Sequence, residues 1–192
     1  MKRLFLLLSM TLALAACRHL PKDARQADAL PDIFPDYVDV TIPVGIAPLN
    51  FTMATDCDRI DVVVRGAKGG EVHANGAECA QFDLDDWHAL VSQNQGADLT
   101  VTVCAESEGQ WTRYRDFAIH VSPHRLDAWG LTYRRIAPGY EVYSHMGIYQ
   151  RELSTFREEA IIENTRVPGM CVNCHSSHQT DPYRFVFHVR GE

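Results

Sequence analysis

Two thiols three residues apart, followed at once by an imidazole, stand in the run Cys171-Val172-Asn173-Cys174-His175. That spacing is the attachment pattern of a c-type haem. The cysteines form thioethers with the haem vinyl groups, and the histidine beside the second bond is placed to bring a ring nitrogen to the iron. Cys171 and Cys174 are therefore the expected attachment points of one covalent haem c, with His175 as its axial ligand. Two other chemistries use the same residues. Zinc would recruit Cys171, Cys174 and His178 with a fourth ligand from elsewhere, and leaves His175 unexplained. A Cys171–Cys174 disulfide is the third, although no βαβ pattern surrounds the motif as in a thioredoxin-like site.

The far side of the iron needs a ligand distant in sequence. Met170 and His178 are too near the motif to reach it, whereas Met146, His145 and His188 lie on or beside separate expected strands. A methionine raises the potential relative to bis-histidine, and an empty position admits small ligands. Arg134, Arg135, Arg151 and Arg190 carry guanidinium groups of the kind that bind propionates bidentately. His73, His88, His120 and His124 show no ligand spacing. Ser176 and Ser177 adjoin His175 and His178, but no oxyanion loop or orienting acid accompanies them. An electron-transfer or binding protein is expected rather than an enzyme.

The N-terminus agrees with this chemistry. Lys2 and Arg3 precede an apolar stretch from Leu4 to Ala16, too short to cross a bilayer and flanked like a secretory signal. The end of that stretch, Leu14-Ala15-Ala16-Cys17, resembles a bacterial lipobox, which makes Cys17 the lipidated N-terminus of the mature chain. Residues 1–16 are thus expected to be a lipoprotein signal peptide. The location implied is the bacterial cell envelope, lipid-anchored at the outer membrane, and a triacylated cysteine carries enough acyl chain to hold firmly. The formal net charge of −7 is spread among charges of both signs, with no basic stripe, so a nucleic-acid partner is not expected. Setting aside Cys17, Cys171 and Cys174 leaves Cys57, Cys79 and Cys104, an odd number from which at most one disulfide forms.

These residues need a scaffold, and the pattern supplies strands. Pro21, Pro31 and Pro35 among charges mark 17–36 as a tether. Val38–Ile42, Phe51–Met53, Ile60–Val64, Leu99–Val103 and Phe117–Val121 are short β-branched runs bounded by turn residues, the pattern of a small antiparallel sandwich over 37–122, immunoglobulin-like in class. One helix interrupts them: Asp83 and Asp85 offer caps, Trp87, Leu90 and Val91 recur at helical spacing, and Asn94-Gln95-Gly96 stops it. Trp87 is expected as a core plug. From 123 to 192 a tyrosine-rich meander is expected: Leu131–Arg134, the turn Pro138-Gly139, Glu141–Tyr143 and Gly147–Leu153. A turn-rich connection from Asn164 to Gly169 leads into a loop bearing the haem motif, and Tyr183–Val189 is a last strand.

Several segments together resemble the TolB-like envelope lipoproteins that carry one c-type haem motif. They are Thr41–Phe51, the Trp87 helix, Tyr133–Tyr140, Met146–Tyr149, Cys171–Ser176 and Phe187–Gly191. The resemblance runs over nearly the whole mature chain. It implies an N-terminal sandwich leading into a β-propeller, with the haem motif in a loop early in the propeller, and this chain is expected to be truncated before most blades. It favours His188 and Met146 as distal ligands. The implied function is a lipid-anchored c-type cytochrome exchanging electrons with an envelope redox partner. The alternative is an envelope binding or scaffold lipoprotein in which the motif is vestigial, disulfide-bonded or metal-binding.

Overall fold

Val, Ile and Thr crowd the short runs between Gly, Asn and Asp, and such runs favour extended backbone. The computed structural model describes residues 20–136, 146–166, 168–179 and 181–191. The signal peptide, Cys17, His145, the Pro138-Gly139 turn and the strand expected at Glu141–Tyr143 lie outside the described residues. What is described is mainly β, with one helix and several sheets, none of them closed. No described helix is long and apolar enough to cross a membrane.

In chain order the first strands are β1 (Arg25–Gln26), β2 (Ile33–Phe34), β3 (Val40–Val44), β4 (Phe51–Met53), β5 (Arg59–Gly66), β6 (Glu71–Gly76) and β7 (Cys79–Ala80). Helix α1 (Leu84–Gln93) follows, then β8 (Asp98–Ser107), β9 (Gln110–Arg113) and β10 (Phe117–Arg125). The spine is β8. One edge takes β5 antiparallel, from Arg59↔Glu106 to Gly66↔Leu99, and β6 extends the sheet beyond β5. The other edge takes β10 along the first half of β8 and β9 along the second. Beyond these, β3 runs parallel to β10 and β1 parallel to β9. The sheet is therefore mixed, not purely antiparallel as expected. No hairpin joins β1 to β9 or β3 to β10, so nothing in the connection enforces antiparallel pairing. A small sheet ordered β2-β4-β7 completes this part.

The segment 17–36 also departs from a plain tether. Its β1 is laid on β9 and its β2 on β4, with Ile33 buried in the core. That core unites Ile42, Val62, Val64, Val101 and Val103 of the large sheet with Phe51 and Met53 of the small one and Trp87, Leu90 and Val91 of α1.

The helix forms where its caps lie. Asp83 Oδ1 accepts from the backbone N–H of Asp85 and Asp86, each at 3.0 Å, and both acids sit where the helix dipole favours them. At the other end the fully buried Asn94 ties helix to hairpin: its Nδ2 donates to Leu90 O (2.8 Å) and Gly69 O (3.0 Å), and its Oδ1 accepts from Lys68 N (2.7 Å). Asn94→Ala strands three backbone groups at once. It is expected to lower the unfolding free energy by about 2–3 kcal/mol, read by urea denaturation.

His120 on β10 bridges two acids, Nδ1 meeting Asp98 at 2.7 Å and Nε2 meeting Asp39 at 2.8 Å. Those hydrogen bonds, Asp98's first, raise the imidazole's pKa above its ordinary value. A raised folded pKa stabilises the fold fully below the unfolded value and loses that contribution as pH rises through the folded one. The melting temperature of the wild type is therefore expected to fall, relative to His120→Gln, between the ordinary imidazole pKa and its raised value; a constant difference across that window would refute the clamp.

The second part contains β11 (Gly130–Arg135), β12 (Gly147–Glu152) and β13 (Glu158–Glu163), an antiparallel three-stranded sheet in that order. A hairpin of β14 (Cys171–His178) and β15 (Asp181–Arg190) packs against β11 and β12. Backbone bonds tie this part to the first: Ala47 N–H donates to Leu153 O at 2.8 Å and Leu126 N–H to Val44 O at 3.1 Å.

Candidate functional site

Cys171 to His178 form a strand, β14, and not the loop expected for the motif. Pairing with β15, whose Phe185, Val186, Phe187 and Val189 favour extended structure, draws the segment into the ladder. The ladder is interrupted inside the motif. Val172 pairs with Val189 and His175 with Phe187, so Asn173 and Cys174 together stand opposite His188: a β-bulge of one extra residue.

The bulge decides which side chains share a face. Cys171 and His175, four apart, would share a face on an unbroken strand; the extra residue puts them on opposite faces. Val172 and His175 look inward. Val172 is fully buried, and its N–H donates to Asn164 Oδ1 at 2.9 Å. His175 Nε2 meets the carbonyl oxygen of Thr132 on β11 at 3.1 Å. A carbonyl only accepts, so Nε2 carries the proton in this contact. Cys171 is half-buried on the outer face, and Cys174 is exposed at the bulge.

The remaining predicted residues fall around this hairpin. His188 is exposed and faces the bulge across the ladder. The carbonyl of Met146 accepts from Asn164 N at 2.9 Å, so one residue links Met146 to the motif strand. His145 lies outside the described residues. His178 ends β14, and beside it Ser176, Ser177, Tyr183, Arg184, Phe185 and Val186 line an open depression of about 510 Å³. Asn164 was legible only as a turn residue, and the Thr132 carbonyl leaves no sequence signal.

The arginines separate. Arg135 pairs with Glu158 at 2.8 Å and lies over the Tyr149 ring at 5.2 Å. Glu158 also accepts from the Tyr133 hydroxyl, and burial first, with that bond second, pushes the Tyr133 pKa up to about 12. Arg151 lies over the Phe156 ring at 5.9 Å, and Arg190 is exposed at the hairpin end. Arg134 differs: its buried Nε has no hydrogen-bond partner.

Among the described residues all five thiols are free: Cys57, Cys79, Cys104, Cys171 and Cys174. Burial, with Asp61 next, pushes the Cys104 thiol up to about 11, which makes it a poor nucleophile at neutral pH. No three His, Cys, Asp or Glu side chains among the described residues converge as a metal site, so Cys171, Cys174 and His178 do not meet as the zinc reading requires.

The haem can be tested on the same geometry. Two free thiols of a solvent-facing hairpin fit covalent attachment, and half-buried Arg134, whose buried Nε–H is unpartnered, offers a donor for a carboxylate. His175 as placed does not serve an iron on the thiols' side, because it faces inward and its Nε2 is bonded to Thr132. Ligation requires that this contact open and that the bulged register of β14, which holds His175 on the face opposite the thiols, give way. No family model matches this chain, and no curated protein matches it.

Proposed function

We propose that this chain is a lipid-anchored, single-haem c-type cytochrome of the bacterial envelope that exchanges electrons with a redox partner there. The observation that carries the reading is a pair of unpaired thiols, Cys171 and Cys174, in haem-attachment spacing on a solvent-facing hairpin. Each thiol adds its S–H across one vinyl double bond: a carbon–sulfur bond forms, the hydrogen goes to the neighbouring carbon, and no oxidant is consumed. His175, freed from the Thr132 carbonyl and from the bulged register of β14, would be the motif's iron ligand, and His188 or Met146 would be the second. The bound haem supplies a one-electron ferric/ferrous couple, its electron taken from or passed to a one-electron carrier protein. The mainly β body, read as an immunoglobulin-like sandwich followed by a propeller-like segment of the TolB-like kind, acts as spacer and docking module.

A second reading has its own support. Tyr183 and Val186 on β15 are exposed apolar residues that line the depression beside His178, and exposed apolar surface of this kind marks binding sites. A binding lipoprotein would use that strand and not need the thiols. Redox titration of the purified protein separates the two. The cytochrome reading expects a reversible one-electron wave and a low-spin spectrum that changes with either His188→Ala or Met146→Ala, but not both. Absence of any redox-active absorbance favours the binding role.

A further inference from the structure

A free tether needs chain that folds onto nothing, and the segment after Cys17 is spent on the body. Leu20 and Pro21 are half-buried, and β1 lies along β9 with Ala27 N–H donating to Arg113 O at 2.9 Å. Arg115 N–H donates to Ala29 O at 2.9 Å, Ala54 N–H to Asp32 O at 2.8 Å, and Pro31 and Ile33 are buried. The chain is thus pinned from Leu20 onward. Three residue steps separate Cys17 from Leu20, and extended chain covers at most about 11 Å in that span. The whole of 17–36, were it free, would reach about 70 Å.

The pinned segment forms one wall of the first part. β1 ends the order β1-β9-β8-β10-β3 and β2 ends the order β2-β4-β7, so both of its strands are sheet edges. Lys22, Arg25 and, beside Ala29, Arg115 are exposed there, as are Leu30 (38%) and Phe34 (70%). Arg113 is paired with Asp116 at 3.4 Å, whereas among the described residues Lys22, Arg25 and Arg115 have no ion-pair partner; the acids beside them are Asp23 and Asp28. Cations and apolar side chains on one closely held wall suit phospholipid: headgroups take the cations, and the acyl boundary takes Leu30 and Phe34.

We propose that the wall formed by 20–34 rests on the bilayer that holds Cys17, with the phospholipid surface as its partner. This rests on the lipid-anchor part of the reading above and not on the haem. The short connection keeps the wall at a high effective concentration of lipid, so it needs little affinity of its own. A body of this length is about 40 Å across, so the motif hairpin works within that distance of the membrane and its redox partner meets it there.

The test is amide hydrogen exchange on the full lipidated chain in vesicles of phosphatidylethanolamine and phosphatidylglycerol. Two controls accompany it: a Cys17→Ser chain made without residues 1–16, in buffer, and a lipidated chain with a long Gly/Ser spacer inserted between His19 and Leu20. Peptides covering 20–34 and 113–116 should exchange at least about fivefold more slowly on vesicles than in the Cys17→Ser chain. The spacer should abolish most of that difference. Arg25→Glu with Arg115→Glu should weaken the protection without changing the melting temperature, since both side chains are exposed and unpaired. Unchanged exchange in 20–34 on vesicles, with the Cys17 peptide carrying its acyl mass, overturns the docked wall and leaves the anchor standing. Protection that persists in full with the spacer contradicts the short connection as its cause. A Cys17 peptide without lipid sinks the inference and the anchor together, and haem on the peptide spanning Cys171 to His175, read from the same digest, judges the cytochrome reading separately.

Discussion

Replacing Cys171 and Cys174 together by alanine is expected to remove all covalently bound haem while leaving the fold in place. Cys174 is exposed and Cys171 half-buried, and neither thiol holds another element. Surface substitutions of this kind change stability by no more than about 0.5 kcal/mol. The loss of colour should therefore come without a loss of cooperative melting. His175→Ala separates attachment from ligation: both thioethers remain, but the low-spin spectrum should be lost. Capture of a partner that survives the double cysteine substitution undiminished would move the account toward the binding role.

The second large effect is on stability. Trp87 is fully buried at the centre of the first core, with its ring 5.4 Å from that of Phe82, which in turn lies 6.4 Å from Phe51. Trp87→Ala removes the largest fully buried side chain, which packs α1 into the core, and leaves a cavity that a β framework fills poorly. The expected cost is about 3–5 kcal/mol, enough to unfold a marginal domain at moderate temperature. Denaturant titration of the first core measures it; a loss under about 1 kcal/mol would mean that the helix is not part of the cooperative unit.

The same residue shows how much the sequence discloses. Trp87, Leu90 and Val91 at helical spacing, with Asp83 or Asp85 before them and Asn94 after, locate the helix to within two residues, because capping and periodicity are local. The strands at Phe51–Met53, Ile60–Val64 and Leu99–Val103 were legible for a like reason: β-branched residues in short bounded runs. Strands whose outward positions are charged were not. Glu71–Gly76 and Glu158–Glu163 lie at sheet edges, where polar and acidic residues deter further pairing and hide the alternation. The parallel docking of β1 and β3 was equally invisible, since it joins segments far apart in the chain.

At the site the division is sharper. The spacing of Cys171, Cys174 and His175 names the chemistry, but not the backbone that carries it. Periodicity could not foresee that the motif would pair with β15, nor that one extra residue opposite His188 would turn His175 inward. The contacts that hold the motif, Asn164 Oδ1 to Val172 N and His175 to Thr132 O, link β14 to neighbouring elements through the fold alone. Arg134 was one of four candidate arginines; only the pairing of Arg135 with Glu158 and the orphaned Nε of Arg134 set it apart.

Covalent attachment is the claim on which the rest depends, and mass spectrometry of the denatured, proteolysed wild type, made in a host with active haem ligation, tests it most directly. The account predicts that the peptide spanning Cys171 to His175 carries the mass of one haem and keeps it through unfolding and reduction. The same peptide recovered with both thiols unmodified, from cells that load another c-type cytochrome, would contradict it.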